Sequence, residues 1–203
     1  MKSHPTSKHQ DSHKELINDE SRFVDLAVDR SLAGKKVVGW FQGRFEWGPR
    51  ALGNRSILAD PRRADMKDIV NNKIKFREPF RPFAPSVLSE AAGQYFELPT
   101  PVCPVPANFM LLVVPVRPDM GETIPAVDHL GTARIQTVRR DHNPLYYDVI
   151  HRFGEASGVP VVLNTSFNLR GEPIVNSPSD ALNTFANSGI DTLVMGNYLI
   201  DRR

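Results

Sequence analysis

Apolar and polar residues alternate along this chain in short blocks whose period switches repeatedly between helix and strand. Ser21 is placed to cap a helix that turns Phe23, Leu26, Ala27 and Leu32 inward and stops at Gly34. Lys36–Phe41 and Ile57–Ala59 are apolar enough to be short buried strands. Between Arg63 and Ile74 the apolar positions Met66, Ile69, Val70 and Ile74 recur at helical spacing. Pro79, Pro82 and Pro85 then hold the backbone extended, because proline and the residue before it disfavour helix. A strand follows at Ser86–Leu88 and a short helix at Glu90–Phe96, and residues 99–106 read as a proline-rich loop.

The second half repeats the alternation. Met110–Val116 is a strongly apolar strand, and Ala126–Asp128 and Ala133–Val138 are expected as strands around a turn at Gly131. Asn143 before Pro144 is a helix start, with Leu145, Val149, Ile150 and Phe153 facing inward as far as Ser157. Val159–Leu163 is a core strand. Ser177 before Pro178 starts another helix, stopped by Gly189, and Thr192–Met195 and Tyr198–Ile200 close the chain as strands. Several strands follow one another too closely for helical crossovers. The expected fold is therefore α/β, with a mixed twisted sheet and flanking helices in a single domain.

Residues 1–19 have no apolar block. They are expected to form a disordered polar segment ahead of a domain spanning 20–203, and they lack the apolar core of a secretory signal. The 203 residues suffice for one ordinary core. With 25 Lys and Arg against 23 Asp and Glu, the net charge is +2. That balance argues against a nucleic-acid coat and requires any positive potential to be local. No apolar run reaches the ~18 residues a membrane helix needs. Cys103 is the only cysteine, which gives no disulfide and fits a reducing cytoplasm.

The local charge is concentrated between Gly39 and Leu88. Arg44, Arg50, Arg55, Lys75, Arg77 and Arg81 lie among Gly, Pro and Asn residues rather than along a helix face. Gly48 and Pro49 make a turn that aims Arg50, and Gly53 makes a second one before Asn54 and Arg55. Guanidinium groups fixed in this way suit phosphate oxygens, which accept two parallel charge-assisted hydrogen bonds from one planar fork. Period-two alternation through Lys73–Arg77 separates the charges from Ile74 and Phe76. Arg134 begins a strand after Gly131. Asn164 and Ser166 follow the Val159–Leu163 strand, share one side of it if it continues, and stand where α/β sheets open a ligand crevice. Gly171–Pro173 continues that loop. The expected site is a pocket for a nucleotide and a second phosphate.

Five long stretches carry a more specific resemblance: FQGRFEWGPRALGNRSILADPR, NKIKFREPFRPFAPSVL, HLGTARIQTV, GVPVVLNTSFNLRGEPIV and SPSDALNTFANSGIDTLVMGNYLI. Over roughly residues 36–200 the chain resembles the C-terminal domain of the NodU/CmcH-type O-carbamoyltransferases, which modify nodulation factors and antibiotics. The resemblance implies a fold like that of threonylcarbamoyl-adenylate synthase (YrdC-like). It implies binding of ATP and carbamoyl phosphate and formation of carbamoyl adenylate with loss of pyrophosphate. It assigns nucleotide and carbamoyl-phosphate binding to Arg50, Lys75, Arg81, Arg134 and Ser166, with Asn164, Arg55 and Arg44 in second rank, and catalysis to Lys75, Arg81 and Ser166. Mg²⁺ is expected to travel with ATP. The sequence offers no dedicated carboxylate cluster for it, and Asp60 and Glu46 are the only acids singled out. His129, His142 and His151 read as ordinary surface or turn residues.

The larger N-terminal domain of the full-length family, which holds the histidine-rich metal site and the acceptor, has no counterpart here. Acceptor carbamoylation is then expected to need a separate N-terminal subunit. A truncated inactive fragment is the alternative, and a nucleic-acid-binding module of related fold is the remaining one.

Overall fold

A computed structural model describes residues 12–32, 36–76, 78, 80–100 and 104–202. The expectations for Gly34, Arg77, Pro79, Cys103 and the first eleven residues lie outside these. The elements are β1 (Ser12–Leu16), α1 (Glu20–Leu32), β2 (Val37–Phe41), β3 (Arg55–Ala59), α2 (Met66–Val70), β4 (Ala84–Leu88), α3 (Ala92–Tyr95), β5 (Leu112–Pro115), β6 (Thr132–Val138), α4 (Pro144–Ser157), β7 (Val161–Ser166), α5 (Pro178–Ala186), β8 (Thr192–Met195) and β9 (Tyr198–Arg202). The nine strands form one sheet in the order β1-β9-β8-β2-β3-β7-β4-β6-β5. The β2–β8 and β4–β6 pairs are parallel and the others antiparallel. The expected mixed α/β sheet with flanking helices is what the chain forms.

Strand β2 shows how the core is built. Trp40 meets Phe23 of α1, with ring centroids 6.0 Å apart. Its neighbour Gly39 faces Phe167, whose ring would lie 2.9 Å from any Cβ placed there. Helix α4 packs on α1 and lies against β4 and β7, while α5 lies against β2 and β8. Asn143 caps α4 by accepting from the Tyr146 N–H, and Ser177 and Asp180 close a reciprocal capping box at α5.

Four local expectations change. Residues 12–16 are not disordered: they pair with β9 as an edge strand, since backbone pairing needs no apolar side chains and buried Ile17 anchors the segment's end. Helix α1 opens at Glu20, ahead of Ser21, and Asp19 before it accepts from the Arg22 N–H at 3.2 Å. The helix expected across Arg63–Ile74 starts only at Met66 and passes at Asn71 into a π-helical turn through Lys75. Ala126–Asp128 is a turn, because its N–H groups bond to Ile124 and Pro61 carbonyls rather than to a strand. Strand β7 runs on to Ser166, so Asn164 and Ser166 do share a side. Among the described residues no helix is long and apolar enough to cross a membrane.

Gly53 is the tightest point of the loop that carries Arg50. Its φ is +114°, and a Cβ would sit 2.2 Å from the ring of buried Tyr146. Gly53→Ala is therefore expected to cost about 3 kcal/mol through overpacking and backbone strain. That corresponds to a drop in Tm of about 6–12 °C for a domain of this size, measured by calorimetry. An unchanged Tm would contradict this loop conformation.

Candidate functional site

The site is assembled on the end of β7. Asn164 is 1% exposed, and its Nδ2 donates to Gln136 Oε1 (2.9 Å), Ser86 Oγ (3.0 Å) and Ala51 O (3.2 Å). Ser86 Oγ donates to Gln136 Oε1 at 2.6 Å, and Gln136 Nε2 donates to Leu52 O at 2.8 Å. Three strands thus grip two successive carbonyls of the loop immediately after Arg50. The Asn164 Oδ1 is buried without a hydrogen-bond partner.

The same loop is fixed from its other side. Glu46 Oε1 accepts from the N–H groups of Leu52 (2.8 Å) and Asn54 (2.6 Å). Burial pushes the Glu46 carboxyl up, while those N–H groups and the Arg55 charge pull it back down. Arg55, 3% exposed, donates to the carbonyls of Gln42 (2.6 Å), Asn54 (3.0 Å) and Gly43 (3.2 Å) and lies 3.6 Å over the Phe41 ring. Asn143 at the head of α4 donates to Asn54 Oδ1 at 2.9 Å.

Between these supports lies a polar cavity of about 100 Å³, lined by Arg50, Arg134, Asn164, Thr165, Ser166 and Met110 among others. Arg50 and Arg134 are both half-buried. Burial and then the neighbouring Arg50 charge hold the Arg134 guanidinium below its ordinary range. Among the described residues no carboxylate pairs with either arginine, and the buried Arg134 Nε has no hydrogen-bond partner. Two like charges converge on one cavity with donors left over.

Ser166 also lines a second, more open cavity of about 320 Å³, with Lys75, Arg81, Asn168 and Arg170. Lys75 comes from the π-helical turn and is 7% exposed. Its Nζ donates to Ser166 O (2.6 Å), Asn168 Oδ1 (2.8 Å), Asn168 O (3.0 Å) and, more weakly, Ser166 Oγ (3.4 Å). Ser166 Oγ donates to Asn168 Oδ1 at 2.7 Å. Arg81 reaches Glu78 at 3.4 Å and is exposed.

The structure therefore brings Arg50, Arg134, Asn164 and Ser166 together, and joins Lys75 and Arg81 to them through Ser166. It does not bring Arg44 or Arg55 to either cavity. Arg44 is exposed and its carbonyl accepts from Asn54, while Arg55 is spent on its own loop. Glu46 is likewise committed, and Asp60 forms a two-point pair with Arg62 (2.9 and 2.7 Å). Neither acid lines either cavity, and among the described residues no three His, Cys, Asp or Glu side chains gather as a metal site. His142 and His151 are exposed, and His129 pairs through its backbone with Thr132. Sequence reasoning missed Ser86, Gln136 and Asn168. Gln136 stands two residues beyond Arg134 in one strand, so strand period alone could have placed it on the cavity face.

The comparisons with known proteins agree with this architecture. Residues 29–202 match the family model described as "Carbamoyltransferase C-terminus". This chain belongs to that family of carbamoyltransferase C-terminal domains. It is 53% identical over 188 residues to "Nodulation protein NolO" of Bradyrhizobium diazoefficiens, covering 91% of this chain and 34% of the relative. It is 41% identical over 175 residues to "3'-hydroxymethylcephem-O-carbamoyltransferase" of Amycolatopsis lactamdurans, covering 85% and 32%. The chain thus spans about a third of the length of these relatives. A solved structure titled "Crystal structure of full-length HypF in the phosphate- and nucleotide-bound form" shares the fold, with a TM-score of 0.57 at 15% identity, over 95% of this chain and 22% of that one.

Two uncompensated guanidinium groups should destabilise the empty cavity and bind anions. Pyrophosphate at 100 times its Kd is expected to raise Tm by about 5–10 °C. Arg134→Gln should abolish that rise while leaving the anion-free Tm at or above that of the wild type. Arg55→Gln should instead lower Tm with or without pyrophosphate. Scanning calorimetry of the three proteins decides; a pyrophosphate shift retained in Arg134→Gln would contradict the assignment.

Proposed function

We propose that this chain is the adenylate-forming part of a carbamoyltransferase. In this reading it binds ATP and carbamoyl phosphate and forms carbamoyl adenylate with release of pyrophosphate. The observation that carries the reading is the Arg50–Arg134 pair: half-buried, unneutralised, and continuous through Ser166 with Lys75 and Arg81. A site meant for a neutral ligand has no use for converging cations, whereas two mutually repelling anionic substrates require them.

The reaction balances as follows. Carbamoyl phosphate gives up its phosphate to water, leaving carbamate. A carbamate oxygen then forms a bond to the α-phosphorus of ATP, and the bond from that phosphorus to the α–β bridging oxygen breaks. Pyrophosphate leaves with the electron pair. Charge accumulates on the oxygens around the α-phosphorus and on the leaving group, so catalysis is alignment and charge neutralisation. Arg50 and Arg134 bind the anionic oxygens in the enclosed cavity. Arg81 takes those in the open one, and Lys75 fixes the loop on which Ser166 stands and adds its own charge. Asn164 offers its unused Oδ1 to the carbamoyl N–H₂. Mg²⁺ arrives with ATP, and no step requires the chain's own carboxylates to hold it. Transfer of the carbamoyl group to an acceptor hydroxyl, with departure of AMP, belongs to the part of such an enzyme that this chain does not contain.

Pyrophosphate release from ATP, followed with and without carbamoyl phosphate, tests the proposal. Carbamoyl-phosphate-dependent release is expected, and Arg81→Ala and Lys75→Ala should each reduce it at least 100-fold, on the order of the loss of one electrostatic donor. Calorimetric ATP binding without any release, even with the remainder of a relative added in trans, would contradict it.

A further inference from the structure

Lys75 stands on a turn of unusual geometry. The π-helical segment Asn71–Lys75 ends in a wide bond from the Phe76 N–H to Asn71 O at 2.6 Å, and Phe76 then takes a left-handed φ of +43°. Single π-helical turns are rare, and a non-glycine residue in the left-handed region is strained, so both persist only where the surroundings impose them. Lys73, in the middle of the turn, ties it to the sheet. Its Nζ donates to both Asp191 carboxylate oxygens, at 2.9 and 3.0 Å, and its carbonyl accepts from the Gly189 N–H at 2.9 Å. Gly189 lies so close that a Cβ there would stand 2.8 Å from Lys73 Cβ. Asp191 is fixed in turn. Its Oδ2 accepts from the Val37 N–H at 2.7 Å, its own N–H donates to Val37 O at 2.9 Å, and its carbonyl accepts from the Arg202 N–H at 2.9 Å. The turn is thus held by Lys73 at the start of β2 and by Lys75 at the end of β7, where Lys75 Nζ meets Ser166 O and two Asn168 oxygens.

We propose that Lys73 and Asp191 are positioning residues: their ion pair sets the π-helical turn so that Lys75 reaches the end of β7 and braces the loop that carries Ser166. The consequence for turnover rests on the adenylation reading, whereas the placement of Lys75 does not. The Lys73 and Asp191 side chains are 35% and 27% exposed. At that exposure an ion pair adds little to overall stability. Its effect is local, because it decides how one marginal turn faces the sheet. Neither residue lines either cavity, so any influence on the site passes through the turn. A small displacement of Lys75 is enough to matter, since charge alignment fails steeply with distance.

The test compares the wild-type chain with Lys73→Met, Asp191→Asn and Lys73→Arg. Arg63→Gln is the control, since it breaks an ion pair of similar exposure, Arg63–Asp65 at 3.1 Å, just ahead of α2. Reductive methylation followed by mass spectrometry reads the accessibility of the buried Lys75 Nζ without reference to any reaction. Lys75 should be protected in the wild type, Lys73→Arg and Arg63→Gln, and methylated about tenfold faster in Lys73→Met and Asp191→Asn through local opening. The Tm of every variant should stay within about 3 °C of the wild type. Carbamoyl-phosphate-dependent pyrophosphate release should lose about tenfold or more in kcat in the same two variants and recover in Lys73→Arg. Pyrophosphate affinity, assigned to Arg50 and Arg134, should hold within about twofold. A merely structural role would lower Tm and leave the kcat of the folded protein unchanged. Lys75 protected in both Lys73→Met and Asp191→Asn, an equal loss in Lys73→Arg, or an unchanged kcat with Lys75 exposed would each overturn the inference. Exposure of Lys75 in the two variants, with no pyrophosphate release from any protein, would leave the positioning of Lys75 standing and remove the adenylation reading.

Discussion

The amide of Asn164 holds the site together. One buried Nδ2 group reaches β4 through Ser86, β6 through Gln136 and the Arg50 loop through Ala51 O, and Gln136 adds Leu52 O. Such a network is strong only when its members are satisfied, because each unpaired polar group in a dry interior is costly. Paired at every group except the Asn164 Oδ1, it converts a Gly- and Pro-rich loop into a fixed platform. Gly53 against Tyr146 and Glu46 under the Leu52 and Asn54 N–H groups complete the clamp. The clamp holds the Arg50 loop against the cavity that Arg134 also lines, so the two like charges meet there.

The cavity poses one electrostatic problem: two guanidinium groups face it without a carboxylate among the described residues. On the proposed reading, uncompensated arginines trade stability of the empty protein for affinity toward anions, the usual exchange of stability for function. On the adenylation reading the same arginines would work best in a medium of low dielectric, where each hydrogen bond to a developing charge counts for more. The cavity draws its walls from β4, β6, β7 and the loop that carries Arg50.

Much of the fold was legible from periodicity. Helix α4 and strand β8 fall where spacing puts them, since Asn143–Pro144 is a strong start signal and TLVM a compact apolar run. Strand β1 was not legible, because an edge strand held by backbone pairing needs no apolar pattern. The π-helical turn at Asn71–Lys75 was also hidden: Ile74 keeps helical spacing while the turn rotates Lys75 inward. In the site, Arg50, Arg134, Asn164 and Ser166 could be found one by one from turns and strand ends. What placed Arg55 among them was only its neighbourhood; its two Nη groups donate to the Gln42, Gly43 and Asn54 carbonyls, its buried Nε has no hydrogen-bond partner, and it lines neither cavity. No local pattern reports where a side chain spends its hydrogen bonds. The Ser86–Gln136–Asn164 network spans three strands and becomes visible only when they are paired.

The central claim is that Arg50 and Arg134 act as one anion-binding unit. A double-mutant cycle measures this directly, with pyrophosphate affinity determined by titration calorimetry for the wild type, Arg50→Gln, Arg134→Gln and the double variant. A shared anion predicts strong coupling, at least about 0.5 kcal/mol, with the second substitution costing much less than the first. Losses that simply add would mean that the two guanidinium groups serve separate sites, and would contradict the account.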